Sequence, residues 1–550
     1  MTYSLTEALL ILCLAGGDLV GRQVVFANGQ VGVVVAHRPP MVFVYSDMDE
    51  FDSGDGPVKV LDSLASVAVS NNSDALDCFG RTLDDSSVLP KATTMERPIF
   101  APIPQVKDIA LINSPVVSGV TMVDALSPIG LGQNMLLVGH DINDMRRYAC
   151  DILSMQSSDT KCIYAATSNR EEVEQALSDA GLLEDITLVA QQQTKSEKSK
   201  ESNAAEAISI AAAACAMGEA HAIEEGKDSL IIVDTIDHHK QLWDATTRVL
   251  VDVFGAEAVV KGDREGAASS EMRSFYSSLI QRSAQYNKKR GGGSVTLLLM
   301  TTIPKMAGNQ DETVFSPEDF EDGSAKVQER IQLLVAKNIP LTAANLRKID
   351  IPIPSDSEGV RRMALQHVDD LISMSDGQIW LDERLEQAGR QPPMDPQRSI
   401  TRIGIGADTE SRADAPALRR IVEGLRLDLA QAASMDGADT ATNASVKQIR
   451  RSNALLLAMH QKSGAKGRKL SESCVVLLAA TKGHLDSTVD NGILPGTDEG
   501  DAVIGNLLEH VASGAPSAMA DVDASQDMSE NSLLEMEEAI KSFFEISTNR

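Results

Sequence analysis

This chain of 550 residues has few aromatic residues and few long apolar runs, and its 50 Lys and Arg residues are outnumbered by 79 Asp and Glu residues. Aromatic residues make up 3% of the sequence and hydrophobic residues 43%, so we expect cores built from Ala, Leu, Ile and Val. The formal net charge is −29, which excludes nucleic acid as a favoured partner, because Lys and Arg on phosphates supply most of that affinity. No segment approaches the roughly 20 apolar residues that a membrane-spanning helix needs.

Paired cysteines are also missing. The sequence has six cysteines, and no two of them form a CxxC pair. This spacing favours reduced, mostly buried thiols of an intracellular protein over a disulfide framework. We assign no metal site from the sequence.

The chain also lacks the usual phosphate-binding residues in a turn between a predicted strand and a predicted helix. LLVGHDINDMRRYACDIL, residues 136–153, has the pattern of a strand, a turn and a helix, in which many proteins hold the phosphates of ATP. The usual turn is Gly, four residues, then Gly-Lys-Ser/Thr. Gly139 opens the turn, but the closing triplet is Asp144, Met145 and Arg146.

Each of the three replacements removes one part of the phosphate-binding chemistry. The second Gly lets backbone N–H groups wrap the phosphates, the Lys neutralises them, and the hydroxyl binds magnesium. Asp144 instead brings a negative charge, and like charges near 4 Å cost about 1 kcal/mol even in water. We expect no cofactor, with weak retained binding of ATP or ADP and magnesium as the alternative. For Arg146 and Arg147 we favour solvated charges on a helix face over a surrogate cation.

Hydrophobic patterning divides the chain into three predicted domains. β-branched runs around Asn28-Gly29 predict a hairpin within an N-terminal β-barrel, residues 1–95. Apolar strands that alternate with helices predict a central α/β domain with a mostly parallel sheet, residues 96–414, carrying an insertion at about 302–359. Residues 415–550 are predicted to form a helical bundle, with GAPSAMADVDASQDMS as a hinge before the last helix.

Several stretches, in this order, resemble the alpha-type subunit of the rotary F-type ATP synthase, in which alpha and beta subunits alternate around a rotating stalk. The likeness covers almost the whole chain, except the insertion and the N-terminal arm with which the family holds its peripheral stalk. It implies a P-loop-type, RecA-like central domain. The stretches are GVTMVDALSPIGLGQNMLLVGH, CIYAATSN, ACAMGEAHAIEEGKDSLIIVD, GGGSVTLLLM, ISMSDGQIWL, RSITRIG, RLDLAQ and SENSLLEMEEAIKSFFEI.

The resemblance places two further residues near the former nucleotide site. Asp234, which closes SLIIVD, matches the Walker B aspartate that helps hold magnesium. Asn169 stands where the beta type carries a glutamate that polarises water, and this favours the alpha type. Each residue also has a local interpretation. Asn169 with Glu172 has the pattern of a helix start, and Asp234 can cap a strand end or begin the next helix.

Arg402 in RSITRIG lies where alpha subunits place an arginine that reaches into the neighbouring beta subunit's ATP site. Such an arginine finger stabilises charge on the transferred phosphoryl group, and it acts in trans, so it does not need this chain's own loop. A structural ion pair with a nearby carboxylate is the alternative interpretation.

The resemblance implies a non-catalytic subunit of a proton-driven ATP synthase. Its partners would be beta- and gamma-type subunits in a hetero-hexameric ring that is peripheral to a membrane. The alternatives are a pseudo-ATPase that serves interaction or assembly outside the synthase, and a self-sufficient ring ATPase, which the broken loop disfavours. Because we do not expect so degenerate an alpha chain in bacteria, we expect the matrix side of the mitochondrial inner membrane, or else the stromal side of the plastid thylakoid membrane.

Overall fold

The computed structural model describes most of the chain in two compact units, residues 302–373 and the remainder. No helix in this described part is long and apolar enough to cross a membrane. The three-domain division with boundaries near 95 and 415 stays a prediction. The described residues are 2–5, 8–12, 19–26, 29–38, 41–46, 59–83, 93–192, 200–255, 257, 267–304, 325–336, 340–348, 357–402, 417–422, 425–435, 443–464 and 467–548.

The N-terminal region is antiparallel. Its first six strands form one sheet in the order β1-β2-β5-β4-β3-β6, and β7 pairs with β9. The predicted hairpin is confirmed, since β3 pairs with β4 across a turn in which Gly29 has φ +84°. The strand order is open, so the predicted barrel is not confirmed. The strands are β1 (Thr2–Leu5), β2 (Ala8–Leu12), β3 (Arg22–Val25), β4 (Val31–Arg38), β5 (Met41–Ser46), β6 (Lys59–Leu64), β7 (Ser66–Ser70), β8 (Ala75–Leu76) and β9 (Thr93–Pro98).

A mixed, mostly parallel sheet forms the centre, as predicted. Its order is β19-β18-β12-β17-β15-β13-β14-β8, and β16 pairs with β17. The pairs β18–β12, β17–β15, β15–β13, β13–β14 and β14–β8 are parallel, whereas β19 and β16 are antiparallel additions. The strands are β10 (Pro115–Val116), β11 (Ile129–Gly130), β12 (Asn134–Gly139), β13 (Lys161–Ala166), β14 (Thr187–Ala190), β15 (Ser229–Val233), β16 (Ala284–Gln285), β17 (Ser294–Thr302), β18 (Gly377–Trp380) and β19 (Ile400–Thr401).

Helices follow most of these strands, and α4 packs against β13, β14 and β15 with an Ala-rich, largely buried surface. Residues 302–373 have a small core of their own, made by Ile331, Leu341 and Leu346. Much of the predicted insertion, residues 305–324, 337–339 and 349–356, lies outside the described residues. The helices are α1 (Thr121–Leu126), α2 (Ile142–Ser154), α3 (Arg170–Asp179), α4 (Lys200–Ala220), α5 (His238–Phe254), α6 (Ala267–Ile280), α7 (Ala325–Ala336), α8 (Ala343–Lys348), α9 (Ser357–Met374) and α10 (Glu383–Gln387).

The C-terminal region is helical, as predicted, and α14 is buried on nearly every side. The hinge prediction is wrong, because that stretch forms α17. Pro516 suits the first turn of this helix, and Ala518, Met519 and Val522 are buried on one face. The helices are α11 (Ala417–Val422), α12 (Leu425–Met435), α13 (Asn443–Met459), α14 (Leu470–Thr481), α15 (Asp486–Asp490), α16 (Asp498–Gly514), α17 (Pro516–Ser525) and α18 (Glu530–Thr548).

The cysteine prediction also holds where it can be examined. Five cysteines are free and buried, and the sixth, Cys13, lies outside the described residues. Burial raises the pKa of the Cys150, Cys162 and Cys215 thiols to about 12. These side chains therefore serve as small apolar core residues rather than as reactive thiols.

Helix α1 carries a buried carboxylate, Asp124. Its Oδ1 accepts a hydrogen bond from the backbone N–H of Ser118 at 3.0 Å, and its Oδ2 has no partner among the described residues. Burial raises the pKa of Asp124 to about 6, although the hydrogen bonds from Ser118 and Gly119 lower it. The folded chain therefore holds this proton more tightly than the unfolded chain does, and the contribution to stability is lost as pH rises through 6.

We expect Asp124→Asn to raise the free energy of unfolding at pH 8 by about 3 kcal/mol, because the amide stays neutral. Urea unfolding at pH 4.5 and at pH 8 measures this, with the exposed Asp185→Asn as the matched control. If the free energy of unfolding depended on pH equally in wild type and in Asp124→Asn, the raised pKa of Asp124 would be contradicted.

Candidate functional site

The predicted strand, turn and helix are present, but the turn is too short to wrap a phosphate. Two residues separate the end of β12 at Gly139 from the start of α2 at Ile142. The second, Asp141, caps the helix by accepting a hydrogen bond from the backbone N–H of Asn143 at 2.9 Å. The altered positions therefore lie inside the first turns of α2 and not in an open loop; they are Asp144, Met145 and Arg146.

Arg146 points inward and is 1% exposed. Its Nε and Nη2 donate to the two carboxylate oxygens of Asp234 at 2.9 and 3.0 Å. Its Nη1 donates to Glu172 at 2.6 Å and to Asn143 at 2.7 Å, and Nη2 also donates to the Ser168 hydroxyl at 2.7 Å. The prediction of a solvated charge is wrong for this residue.

These contacts use the whole hydrogen-bonding capacity of the guanidinium group. An arginine has five N–H donors, and Arg146 directs them at five acceptor atoms. No donor is left for a phosphate oxygen. We call Arg146 with its four partner side chains the arginine plug; the partners are Asn143, Ser168, Glu172 and Asp234.

Asp234 directly follows β15, and its side chain is fully buried. It also accepts hydrogen bonds from the Tyr164 hydroxyl at 2.8 Å and from the Ser168 hydroxyl. Ligands of α/β proteins bind at this carboxyl edge of the sheet, so Asp234 lies where a magnesium ligand belongs. A tethered guanidinium supplies the positive charge instead. Asp234 does not begin the next helix, since α5 starts at His238.

The surroundings of Arg146 and Tyr164 shift the pKa values of both side chains upward. Burial alone lowers the pKa of Arg146, but Asp234 and Glu172 outweigh it and raise that pKa above the ordinary value. Burial and the Asp234 carboxylate raise the pKa of Tyr164 well above its usual range, so its hydroxyl remains a donor. Arg146 therefore keeps its positive charge, and the Tyr164 hydroxyl keeps the proton that it donates to Asp234.

The neighbouring residues also have structural roles. Met145 is fully buried and packs on Gly139, where an added Cβ would lie 3.0 Å from the Met145 sulfur. Asp144 forms an ion pair with Arg147 on the outer face of α2. Asn169 caps α3, as predicted: its side chain accepts a hydrogen bond from the backbone N–H of Glu171 at 3.1 Å.

A pocket of about 810 Å³ lies beside the plug, between α2 and α3, and its charge is wrong for a nucleotide. Four acidic side chains line it against one cation, Arg147. Such a pocket repels the phosphates of ATP. The acidic side chains are Asp151, Glu171, Glu172 and Asp179.

Arg402 lies elsewhere, directly after β19. Its backbone N–H donates to the Asp376 carbonyl at 2.8 Å, and its Nη1 donates to the Ser375 carbonyl at 3.3 Å. The residue itself is exposed. Because Asp376 immediately precedes β18, which runs parallel to β12, Arg402 lies at the amino edge of the sheet. The plug lies at the opposite, carboxyl edge.

Three stretches that are distant in sequence meet beneath Arg402. Asn134 donates from its backbone N–H and its Nδ2 to Asp376 Oδ2 at 3.1 and 2.8 Å, and the Asp376 N–H donates back to Asn134 Oδ1 at 2.9 Å. Gln133 Nε2 donates to the Thr401 hydroxyl at 2.8 Å. GLGQN, SDGQIW and RSIT therefore form one hydrogen-bonded support, which we call the Arg402 cradle; it consists of Gln133, Asn134, Ser375, Asp376 and Thr401.

Comparison with known proteins gives a family match and several relatives. Residues 119–314 match the ATP synthase alpha/beta family, nucleotide-binding domain. ATP synthase subunit alpha 2 of Syntrophotalea carbinolica is 24% identical over 519 residues, which cover 92% of this chain and 82% of that protein. ATP synthase subunit alpha of Dehalococcoides mccartyi is 23% identical over 480 residues, 84% of this chain and 78% of the relative.

The chain is therefore similar to alpha-type subunits of the ATP synthase alpha/beta family, at low identity. A third relative, ATP synthase subunit alpha of Clostridium botulinum, is 26% identical over 404 residues. That match covers 72% of this chain and 65% of the relative. These relatives are bacterial, so the predicted mitochondrial or plastid location is wrong.

The sequence pattern identifies the residues around this turn but does not show how their side chains combine. Asp234 was assigned on its own, and Tyr164 and Ser168 were not considered. The available clue was the loss of the magnesium-binding hydroxyl beside a retained strand-end aspartate. A buried carboxylate that loses its metal needs another cation, and Arg146 replaces the hydroxyl itself.

We expect Arg146→Met to lower the free energy of unfolding by about 3–5 kcal/mol, because it leaves Asp234 buried without a cation. The double variant Arg146→Met with Asp234→Asn should recover more than half of that loss, since it removes the unpaired charge. Urea unfolding followed by circular dichroism measures both.

Arg147→Met is the matched control for this experiment. The Arg147 side chain is 59% exposed and forms only a surface ion pair, so its removal should cost less than about 1 kcal/mol. Equal losses in Arg146→Met and Arg147→Met would show that the plug does not stabilise the fold.

Proposed function

We propose that this chain is a non-catalytic alpha-type subunit in the head of a proton-driven F-type ATP synthase. In this role it alternates with beta-type subunits in a hetero-hexameric ring around a gamma-type subunit, and the complex associates it peripherally with a membrane. The observation that carries the proposal is the contrast between the two edges of one sheet. The carboxyl edge is closed by the arginine plug, whereas the amino edge presents an exposed, well-supported Arg402.

The plug supports the non-catalytic part of the proposal. A nucleotide site needs donors for phosphate, a place for magnesium and a loop that can wrap both. Arg146 pairs with Asp234, which would otherwise help bind magnesium, and all five N–H donors of Arg146 are used. The turn is only two residues long. The adjoining pocket is acidic. We therefore propose that the subunit works without a nucleotide of its own.

Arg402 supports the remaining part, a contribution to the neighbouring site in trans. Its guanidinium makes one long hydrogen bond to a backbone carbonyl. Burial raises the pKa of Asp376 and the attraction of Arg402 for this carboxylate partly offsets that rise, but Arg402 forms no ion pair with any residue in the described ranges. Arg398, the other arginine nearby, lies over the Trp380 ring at 3.2 Å from its centroid, so stacking occupies it. An exposed arginine on a rigid support is suited to reach a phosphoryl group on another chain.

The first test is a hexamer reconstituted with the beta- and gamma-type subunits of the same organism. We expect Arg402→Ala to lower the kcat of ATP hydrolysis by about 10³–10⁵ while the hexamer still assembles, because the finger acts mainly in the transition state. Native mass spectrometry verifies assembly, and steady-state hydrolysis measures the rate.

Arg398→Ala provides the matched control. It removes a neighbouring arginine with a structural role, so we expect lower stability and a kcat within a few-fold of wild type. An assembled Arg402→Ala hexamer with wild-type kcat would overturn the finger assignment.

A second candidate function is an interaction or assembly protein outside the synthase. The separate unit of residues 302–373 favours it, since Leu333, Val335 and Met363 are exposed there. Exposed apolar side chains on a small unit are typical of partner-binding surfaces. A chain that stays monomeric beside beta-type subunits, yet captures other proteins only when residues 302–373 are present, would establish this alternative.

A further inference from the structure

A histidine and two carboxylates converge at the mouth of the altered turn. His140 is the first residue after β12, Asp144 lies on α2, and Glu386 lies on α10. One nitrogen or oxygen atom from each of the three lies within 4.8 Å of the others, and His140 Nε2 is 3.0 Å from Glu386 Oε2. We propose that these three side chains bind a divalent transition-metal ion of the Zn²⁺ class.

The buried imidazole of His140 is only partly satisfied by hydrogen bonds. Its side chain is 8% exposed, and its Nδ1 has no hydrogen-bond partner among the described residues. Buried imidazole nitrogens are ordinarily satisfied, so an orphaned one calls for an explanation. Because Nε2 faces Glu386, an ion in this group binds Nε2, and the imidazole proton is then held on Nδ1.

The three side chains are carried by backbone that is already fixed. β12 and β18 pair in parallel, and the Leu381 N–H donates to the Val138 carbonyl at 2.8 Å. Asp382 caps α10 by accepting a hydrogen bond from the Arg384 N–H at 2.8 Å, and Asp141 caps α2. Such preorganisation lowers the cost of bringing ligands together around an ion.

The donor set selects the class of ion. One imidazole with two carboxylates suits Zn²⁺, Co²⁺ or Mn²⁺, whereas Mg²⁺ and Ca²⁺ prefer all-oxygen sites and Cu⁺ prefers sulfur. Three protein ligands leave a position for water. The site also differs from the magnesium position of a nucleotide site, which the Arg146 guanidinium covers.

Binding of a divalent ion would disrupt the ion pair between Arg147 and Asp144. Arg147 now neutralises Asp144, and its side chain is 59% exposed. A divalent ion competes for the same carboxylate, so Arg147 has to release Asp144 when the ion binds. Removing Arg147 therefore strengthens metal binding, an effect that surface binding elsewhere on the chain would not show.

Cobalt titration of the metal-free, full-length chain tests the proposal, with visible absorption to report the coordination and Zn²⁺ to displace it. We expect one Co²⁺ per chain, displaced by Zn²⁺ and not by Mg²⁺. His140→Ala and Glu386→Gln should each weaken binding by about tenfold or more, judged from the size of effects at metal sites. Arg147→Gln should tighten it.

Glu383→Gln is the matched control, because it removes a carboxylate from the same helix, α10, outside the site. The Glu383→Gln chain should bind Co²⁺ with the same affinity as wild type. Equal cobalt affinities in His140→Ala and Glu383→Gln would overturn the proposal. An unchanged or weaker affinity in Arg147→Gln would also overturn it, and this surface substitution avoids any question of misfolding.

Discussion

The salt bridge between Arg146 and Asp234 determines what the central domain can do. A carboxylate buried at the end of β15 requires a positive charge beside it, since an unpaired buried charge costs several kcal/mol. A magnesium ion that binds together with a nucleotide supplies this positive charge reversibly. A guanidinium on α2 supplies it permanently, because it is covalently attached to the chain.

This constraint explains the surroundings of the pair. Once the cation is internal, the turn before α2 has no phosphate to wrap and shortens to two residues. Met145 can turn into the core, and the adjacent pocket can carry four acidic side chains. The positions that look like separate losses in the sequence are therefore consequences of one substituted cation.

The two edges of the sheet share no hydrogen-bond partners among the described residues. The Arg402 cradle uses the residues that open β12 and β18, whereas the plug uses those that follow β12, β13 and β15. Sites without shared contacts vary almost additively, so one edge can be rebuilt while the other is kept. In the ring that we propose, the amino edge would contribute Arg402 to the neighbouring subunit.

Much of the fold was predictable, because buried parallel strands are continuous apolar runs and helix starts carry caps such as Asn169. The inward direction of Arg146 was also within reach. It lies three and four residues before Ala149 and Cys150, both buried, so helical spacing places it on the core face. The charge of the side chain argued for solvent, and its partners come from β13, β15 and α3, which no local pattern connects.

Other features were beyond local reasoning. Ala, Ser and Asp make α17 a low-complexity segment, which suggested a hinge, but Ala518, Met519 and Val522 pack one face of a helix into the core. Strand pattern alone does not tell a closed barrel from an open sheet, and the described strands form an open order. His140 and Glu386 are far apart in sequence and meet only because β12 and β18 are neighbours.

The most direct measurement is the binding of Mg²⁺-ADP to the purified chain by isothermal titration calorimetry, with the melting temperature as a second readout. If the arginine plug closes the site, no binding is expected up to about 1 mM ligand, where a Kd of that size corresponds to −4.1 kcal/mol. The melting temperature should stay constant. A micromolar Kd with one nucleotide per chain, and a melting temperature that rises with ligand, would contradict the account.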